Sequence, residues 1–487
     1  MNVLYAKKLF RLGMMVSQVY VIIILTACQS DPLDLIPATS ISEAEAYNTP
    51  EKILAQVNGL YGLLGSPLYF GGQGILFNEQ RGDEFSQNDG NNETGANVWN
   101  QSISSSGFFV NAVWETAYQT INSANILLDQ LAAQSFLPTE TRDAYAAEAR
   151  FVRAFAYFGL VQTYARPFNQ NPDNLALPLR LSPNLSGGNN QLAFSTVREV
   201  YNQILLDLDA AEEDLPIAHS NALLTVSRAH KATAIALKTR VYLTQSNYNM
   251  VIEEAAKLVP PSPPFQYQAV GLSHSLESTI APIFSGSYTG TEAIFSVPFI
   301  IPTEAPSQQR ALAFNYLSPV TYLNTAGIVA HDVFAANSDD ARRNLIINNA
   351  SGQRLLNKFP NNAAPFMDYV PLVRYAEVLL NYAEAAAQLN QLSRAKTLLE
   401  AVRHRSDPNF VFGAPAENQA ALVQLIFTEK RIELLGEGFR SWELFRTVQP
   451  LPAKIGNAGV APRILPTDAN YVWPIPSGEI AYNPLAR

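Results

Sequence analysis

Apolar positions spaced three and four apart run through most of this 487-residue chain, the period of one face of an α-helix. A short helix is predicted over 51–64 (Ile53, Leu54, Val57, Leu60, Tyr61, Leu64). Trp114, Tyr118, Ile121, Ala124 and Leu128 keep the spacing over 113–133. Over 142–164 two stripes run side by side, one of Tyr145, Ala149, Val152, Ala156 and Leu160, the other of Phe151, Phe155 and Phe158. A helix apolar on more than one side packs between neighbours rather than on a surface. Further helical patterns lie near 195–214, 227–245 and 247–258. Over 371–390, Tyr375, Leu379, Tyr382, Ala386 and Leu389 alternate spacings of four and three, with Ala383, Ala385 and Ala387 small enough for close helix approach. A turn at 390–393 leads into a second helix with Ala395, Leu398, Leu399 and Val402. This pair has roughly the 34-residue length of a tetratricopeptide unit. Similar pairs can be drawn for 51–64 with 113–133, 142–164 with 195–214, and 227–245 with 247–258. The expected fold is mostly α, one body over 51–487 built on about four such helix pairs and decorated by loops and short β-strands.

Two stretches break the pattern. Residues 65–110 carry Gly71, Gly72, Gly74, Gly82, Gly90, Gly95 and Gly107 among Asn, Ser and aromatic residues, the composition of ligand-bearing loops between helices. Residues 259–370 begin with VPPSPPF, which cannot be helical because each proline lacks a donor and restricts its predecessor. Within it IFSVPFI (294–300) reads as a strand, and short strands, loops and one small helix are expected around it rather than a separate domain.

Charge and cysteine usage add a location. Lys7, Lys8 and Arg11 precede an apolar run from Leu12 to Thr26, followed by Ala27 and by Cys28, the chain's single cysteine. This is the order of a secretory signal, and the run is short for a membrane span. Leu25, two small residues and Cys28 resemble the bacterial lipobox, which implies cleavage after residue 27, a covalent lipid on Cys28 and a tether over 28–50. Net charge is −9, and −12 without Lys7, Lys8 and Arg11, which argues against a nucleic-acid partner.

Six blocks then resemble the SusD/RagB family of nutrient-binding lipoproteins, in the family's order and over essentially the whole chain: VNGLYGLL (57–64), WETAYQTINSANILLDQL (114–131), AEARFVRAFAYFGLVQTYARP (147–167), VRYAEVLLNYAEA (373–385), TEKRIELLGEGFRSWELFR (428–446) and WPIPSGEIAYNP (473–484). The resemblance implies a helical SusD-like fold and a lipid-anchored position on the outer face of the outer membrane in Bacteroidetes-type bacteria. It implies a SusC-like TonB-dependent transporter as partner, and no catalytic activity. The ligand it implies is an oligosaccharide or, in the RagB branch, a peptide; a tetratricopeptide scaffold that binds only proteins is a further alternative.

A glycan site needs aromatic faces with polar groups beside them. The 65–110 loops offer Trp99, Tyr69 and Phe70 beside Arg81, Asp83, Asn97, Asn100 and Gln101. The resemblance puts Trp99 in the segment, before the WETAY helix, that contributes to the ligand surface. Tyr288, Tyr316 and Tyr322 are candidates for an opposite wall. Glu429, Glu433, Glu437 and Glu443 could suggest a glycosidase, which needs two carboxyls across a sugar. Each has a basic neighbour in sequence (Arg431, Lys430, Arg440 or Arg446), so a helix-face salt-bridge network is the expectation. The five histidines lack zinc spacing, and no metal or other cofactor is expected. Asp89, Asn91 and Glu93 alternate like the start of a calcium loop, without the remaining ligand positions.

Overall fold

The computed structural model describes residues 43–486 apart from 186, 187, 189, 190, 287 and 319. Cys28 and the expected signal and tether up to residue 42 lie outside the described residues. The chain groups into two compact units, Met1–Gln56 and Val57–Arg487. Of the first, a four-residue helix Glu43–Ala46 and the start of helix α1 (Pro50–Leu64) are described.

In the larger unit the principal helices are α2 (Gln73–Arg81), α3 (Phe108–Ala133), α4 (Thr139–Tyr164), α5 (Val197–Asp214), α6 (Lys231–Thr244), α7 (Tyr248–Ala256), α8 (Tyr375–Gln388), α9 (Leu392–Ser406), α10 (Gln419–Glu433) and α11 (Arg440–Arg446). Three of the four expected pairs form: α4 with α5, α6 with α7, and α8 with α9. The remaining one is corrected, because α3 lies along α4 rather than pairing with α1. Both stripes of α4 are used, and Phe151, Phe155, Phe158 and the alanines between them are all buried. Helix α8 is buried from Tyr375 to Ala387 between α7, α9 and α10, and its alanines set the approach. Asn390 makes the turn to α9 with φ of 58°, a left-handed conformation that asparagine tolerates better than most residues.

Polar side chains inside this packing are paired across helices. Arg153 of α4 makes a two-pronged contact with Asp207 of α5 (2.8 and 2.6 Å) and reaches Asn125 of α3 (2.7 Å). Arg240 of α6 grips Glu377 of α8 at 2.6 Å through two nitrogens. Glu148 accepts from Arg228 and from the Tyr61 hydroxyl. Several polar residues of the recognisable blocks are therefore internal clamps.

The non-helical layer is made of two-stranded ribbons. Those that matter below pair β1 (Phe85–Gln87) with β3 (Thr321–Leu323), β2 (Ala293–Val297) with β6 (Val370–Arg374), β4 (Ile346–Asn348) with β5 (Arg354–Leu356), and β7 (Lys454–Gly456) with β8 (Gly459–Ala461), all antiparallel. The predicted strand near 294–300 is β2, and the small helix expected in 259–370 is Leu312–Leu317. Among the described residues no helix is long and apolar enough to cross a membrane.

A buried charge network joins this layer to the helices. Arg374 of β6 contacts Glu292, Glu433 (3.1 Å) and Glu437 (2.7 Å). Arg342 contacts Asp340 (2.6 Å), Glu429 (2.6 Å) and Glu433 (3.1 Å). Arg405 reaches Glu433 (2.6 Å) and Glu292 (3.0 Å), Arg403 reaches Glu429, and Lys358 reaches Glu437 (2.6 Å). Five carboxylates thus face five cations, all with side chains almost fully buried. The expected salt bridges exist, but their partners are corrected. Glu429, Glu433 and Glu437 look inward to other elements, and Glu443 keeps its helix neighbour Arg446 (2.5 Å). Carboxylates locked this way are not a glycosidase pair.

Burial works to raise the Glu433 carboxyl, but the guanidiniums of Arg405, Arg374 and Arg342 hold it well below its ordinary value of 4.5. Its contribution is full above that value and is lost as pH falls through the depressed folded value. Glu433→Gln should cost about 3–5 kcal/mol at neutral pH, since it leaves buried cations short of a partner. Urea denaturation checks this, and the gap to wild type should narrow in acid; a loss below about 1 kcal/mol would contradict the structural role.

A candidate ligand-binding strip on the loop layer

The β1–β3 ribbon brings together the two irregular stretches of the sequence. Its register sets Phe85 against Leu323, Ser86 against Tyr322 and Gln87 against Thr321. Alternation sends Phe85 inward, where it stacks on Tyr316 (4.9 Å, 16°). It leaves Tyr322 half-buried at the surface. The β7–β8 hairpin lies alongside: Ser86 donates to the Ile455 carbonyl (2.8 Å) and Ala458 N–H to that of Gln87 (3.0 Å). Gly456 permits this approach, because a Cβ there would come within 2.6 Å of the Gln87 carbonyl oxygen.

Side chains from four loop elements then meet in one strip. The Tyr322 hydroxyl accepts from Asn457 N–H (3.2 Å), and Asn457 Nδ2 donates to Asn88 Oδ1 (2.6 Å). Gln353 Nε2 reaches the same oxygen at 3.5 Å, and Gln353 Oε1 accepts from Asn349 Nδ2 (2.8 Å). Asn457 is exposed and the others half-buried. Exposed Ile455 and Val460 sit on the same hairpin, and Ile347 on β4. Amides both donate and accept, and a tyrosine adds a ring face with a hydroxyl. The strip therefore suits a neutral, hydroxyl-bearing ligand with apolar faces.

Of the predicted site residues, Tyr322 alone lies on this strip. Trp99 is fully buried, its Nε1 donating to the Phe85 carbonyl (2.9 Å), and Gly456 of the hairpin packs on it. It supports the strip from below and offers no face to a ligand. Tyr69 and Phe70 are buried against α4, where Tyr69 donates to the Ala156 carbonyl (3.0 Å). Gly159 makes room for them, since a Cβ there would lie 2.3 Å from the Tyr69 hydroxyl. Arg81 is buried, donates to the Asn470 and Tyr471 carbonyls (3.0 and 2.6 Å), and is lowered to about 9 by burial. Tyr316 is buried and donates to the Gly436 carbonyl (3.1 Å).

Gln101 is buried and donates to the Arg81 carbonyl (3.2 Å), whereas Asp83, Asn97, Asn100 and Tyr288 are half-buried but turned elsewhere. Asp83 pairs with Arg440 (2.5 and 3.1 Å). Asn100 accepts from Ser102, closing its own turn, and the Asn97 Oδ1 is buried with no partner. Tyr288 stacks on Tyr369 (4.4 Å, 12°) and donates to Asp368. Asp89 and Asn91 accept from backbone N–H groups two residues on. Among the described residues no group of three or more His, Cys, Asp or Glu could hold a metal ion.

Asn88, Asn349, Gln353 and Asn457 were not singled out from sequence. Asn88 and Asn457 are 369 residues apart, and the seating of the β7–β8 hairpin against β1 brings them together. The local hint was the turn chemistry of NNASGQ (348–353) and GNAG (456–459). Because Trp99 is core, Trp99→Ala should cost about 3–5 kcal/mol of stability. A thermal or urea melt checks this; an unchanged melt would return Trp99 to the surface.

Comparison with known proteins bears on the whole chain. A family profile described as "Starch-binding associating with outer membrane" matches residues 33–243, and one described as "SusD family" matches residues 361–485. The chain is 26% identical over 512 residues to the SusD-like protein P2 of Formosa agariphila, covering 95% of this chain and 97% of that one. A solved structure described as a laminarin-binding SusD-like protein superposes with a TM-score of 0.68 at 20% identity, over 90% of this chain and 98% of that one. A SusD superfamily protein from Bacteroides fragilis superposes with a TM-score of 0.79 at 30% identity, over 91% of this chain and all of that one. With the six blocks, the helix pairs and these matches in agreement, the chain belongs to the SusD/RagB family.

Proposed function

We propose that this chain is a non-enzymatic, lipid-anchored glycan-binding protein of the outer membrane surface that passes its ligand to a SusC-like TonB-dependent transporter. The observation that carries the glycan reading is the strip of Asn88, Tyr322, Gln353 and Asn457, with mixed donors and acceptors beside exposed aliphatic groups. A relative of the same fold that binds laminarin supports a carbohydrate over a peptide. Absence of catalysis is supported by Glu429, Glu433 and Glu437, whose side chains are bound up in buried ion pairs. Membrane attachment rests on the lipobox-like LTAC ending at Cys28, and the transporter partner on family membership.

Calorimetry with a panel of laminarin, starch, other polysaccharides and a peptide mixture tests the ligand class. At least one glycan should bind, and Asn457→Ala, at an exposed position, should weaken it about 10-fold, or about 1.4 kcal/mol, without moving the melting temperature. Saturable binding of peptides with none of glycans would overturn the reading.

A further inference from the structure

A second concavity, sharing no residue with the strip, lies between α10, α11, the turn joining them and the segment 447–453. Its volume is about 600 Å³, inside the roughly 300–1,000 Å³ range of small-molecule sites. Glu79 of α2 lines it at only 1% exposure. One carboxyl oxygen of Glu79 accepts from the backbone N–H groups of Gly438 (2.7 Å) and Phe439 (3.0 Å). The other, Oε2, is buried with no hydrogen-bond partner. A buried carboxyl oxygen without a partner is costly and is the kind of group a ligand's hydroxyl can satisfy. Burial pushes this carboxyl up to about 7, against the two backbone bonds and aided by the nearby Glu84 charge, so near neutral pH it is available both as carboxylate and as acid.

The walls add ring faces. Phe427 and Phe439 both line the cleft and are half-buried. The rim carries both signs of charge, already matched. Arg431 and Arg440 bond to Glu84 and Asp83 (2.7 and 2.5 Å), and Glu443 bonds to Arg446 (2.5 Å). Of the cleft's cations only the exposed Arg463 has no carboxylate partner among the described residues. Apart from Glu79 and Arg463 the cleft's charges are matched in ion pairs, so no cluster of one sign is left to select an ion. The cleft presents fixed donors and acceptors between aromatic faces, which is complementary to a neutral polyhydroxylated molecule.

We propose that this cleft is a second carbohydrate site, taking a short neutral sugar segment whose hydroxyl bonds to Glu79 Oε2 and whose C–H faces rest on Phe427 and Phe439. This rests on the glycan-binding reading of the chain and extends it. Two sites on one chain hold a long polysaccharide more tightly than either alone, because the second contact becomes intramolecular.

The test uses calorimetry on the full chain with laminarin oligosaccharides and, in parallel, the other glycans and the peptide mixture of the panel. Thr428→Trp fills the cleft from α10, and Gln424→Trp, at an exposed rim position, does so where Thr428→Trp fails to fold. Wild type should bind two oligosaccharides of the preferred glycan per chain. The filled variants should bind one, and should lose at least about 10-fold in affinity for the polymer, with an unchanged melting temperature. The proposal is overturned by filled variants that keep wild-type stoichiometry and polymer affinity. It is overturned, with the strip reading intact, if Asn457→Ala alone abolishes all glycan binding. Loss of peptide rather than glycan binding on filling would overturn the ligand class. No glycan binding by wild type would instead overturn the proposed function itself.

Discussion

The Arg374 guanidinium, shared among Glu292, Glu433 and Glu437, is the contact on which the two halves of this architecture depend. The sheets among the described residues are all two-stranded, and an isolated ribbon of that size is marginal in water. Such a layer must be fastened to something that folds by itself. The helix pairs supply that body, and the network around Arg374 and Arg342 supplies the fastening. Desolvating ten charged groups is expensive, so the arrangement tolerates no missing member. It has equal numbers of each sign, and α10 serves as its spine through Glu429 and Glu433.

How much of this was legible in the sequence follows from the range of the forces involved. The helices were legible because packing on a helix face imposes a three-four period, and three of four drawn pairs form. The pair involving 113–133 was misassigned because periodicity tells which face is apolar and not which helix covers it. The acidic run in TEKRIELLGEGFR was correctly taken as structural. Its partners were not, since Glu433 meets Arg374 and Arg342 across 59 and 91 residues of sequence.

The loops were legible only as loops. A glycine- and aromatic-rich stretch signals irregular structure near a ligand, but it has no period from which to read inside from outside. Trp99, Tyr69 and Phe70 therefore looked like ring faces for a sugar, and each is a buried wedge that lets the loops sit down on α4 or under the hairpin. Of the tyrosines expected to form an opposite wall, Tyr322 is the one the β1–β3 ribbon sets at the surface beside the 65–110 loops, opposite Ser86. The amides that complete the strip are ordinary turn residues in sequence, made neighbours by long-range pairing.

The ligand strip is preformed by buried supports. A crystal structure of the chain with a bound oligosaccharide tests it most directly. Sugar rings should lie against Tyr322 and within hydrogen-bond reach of Asn88 and Asn457, with the loop backbone within about 1 Å of its free position. Sugar bound away from Tyr322, or a strip that forms only after loop shifts above about 2 Å, would contradict it.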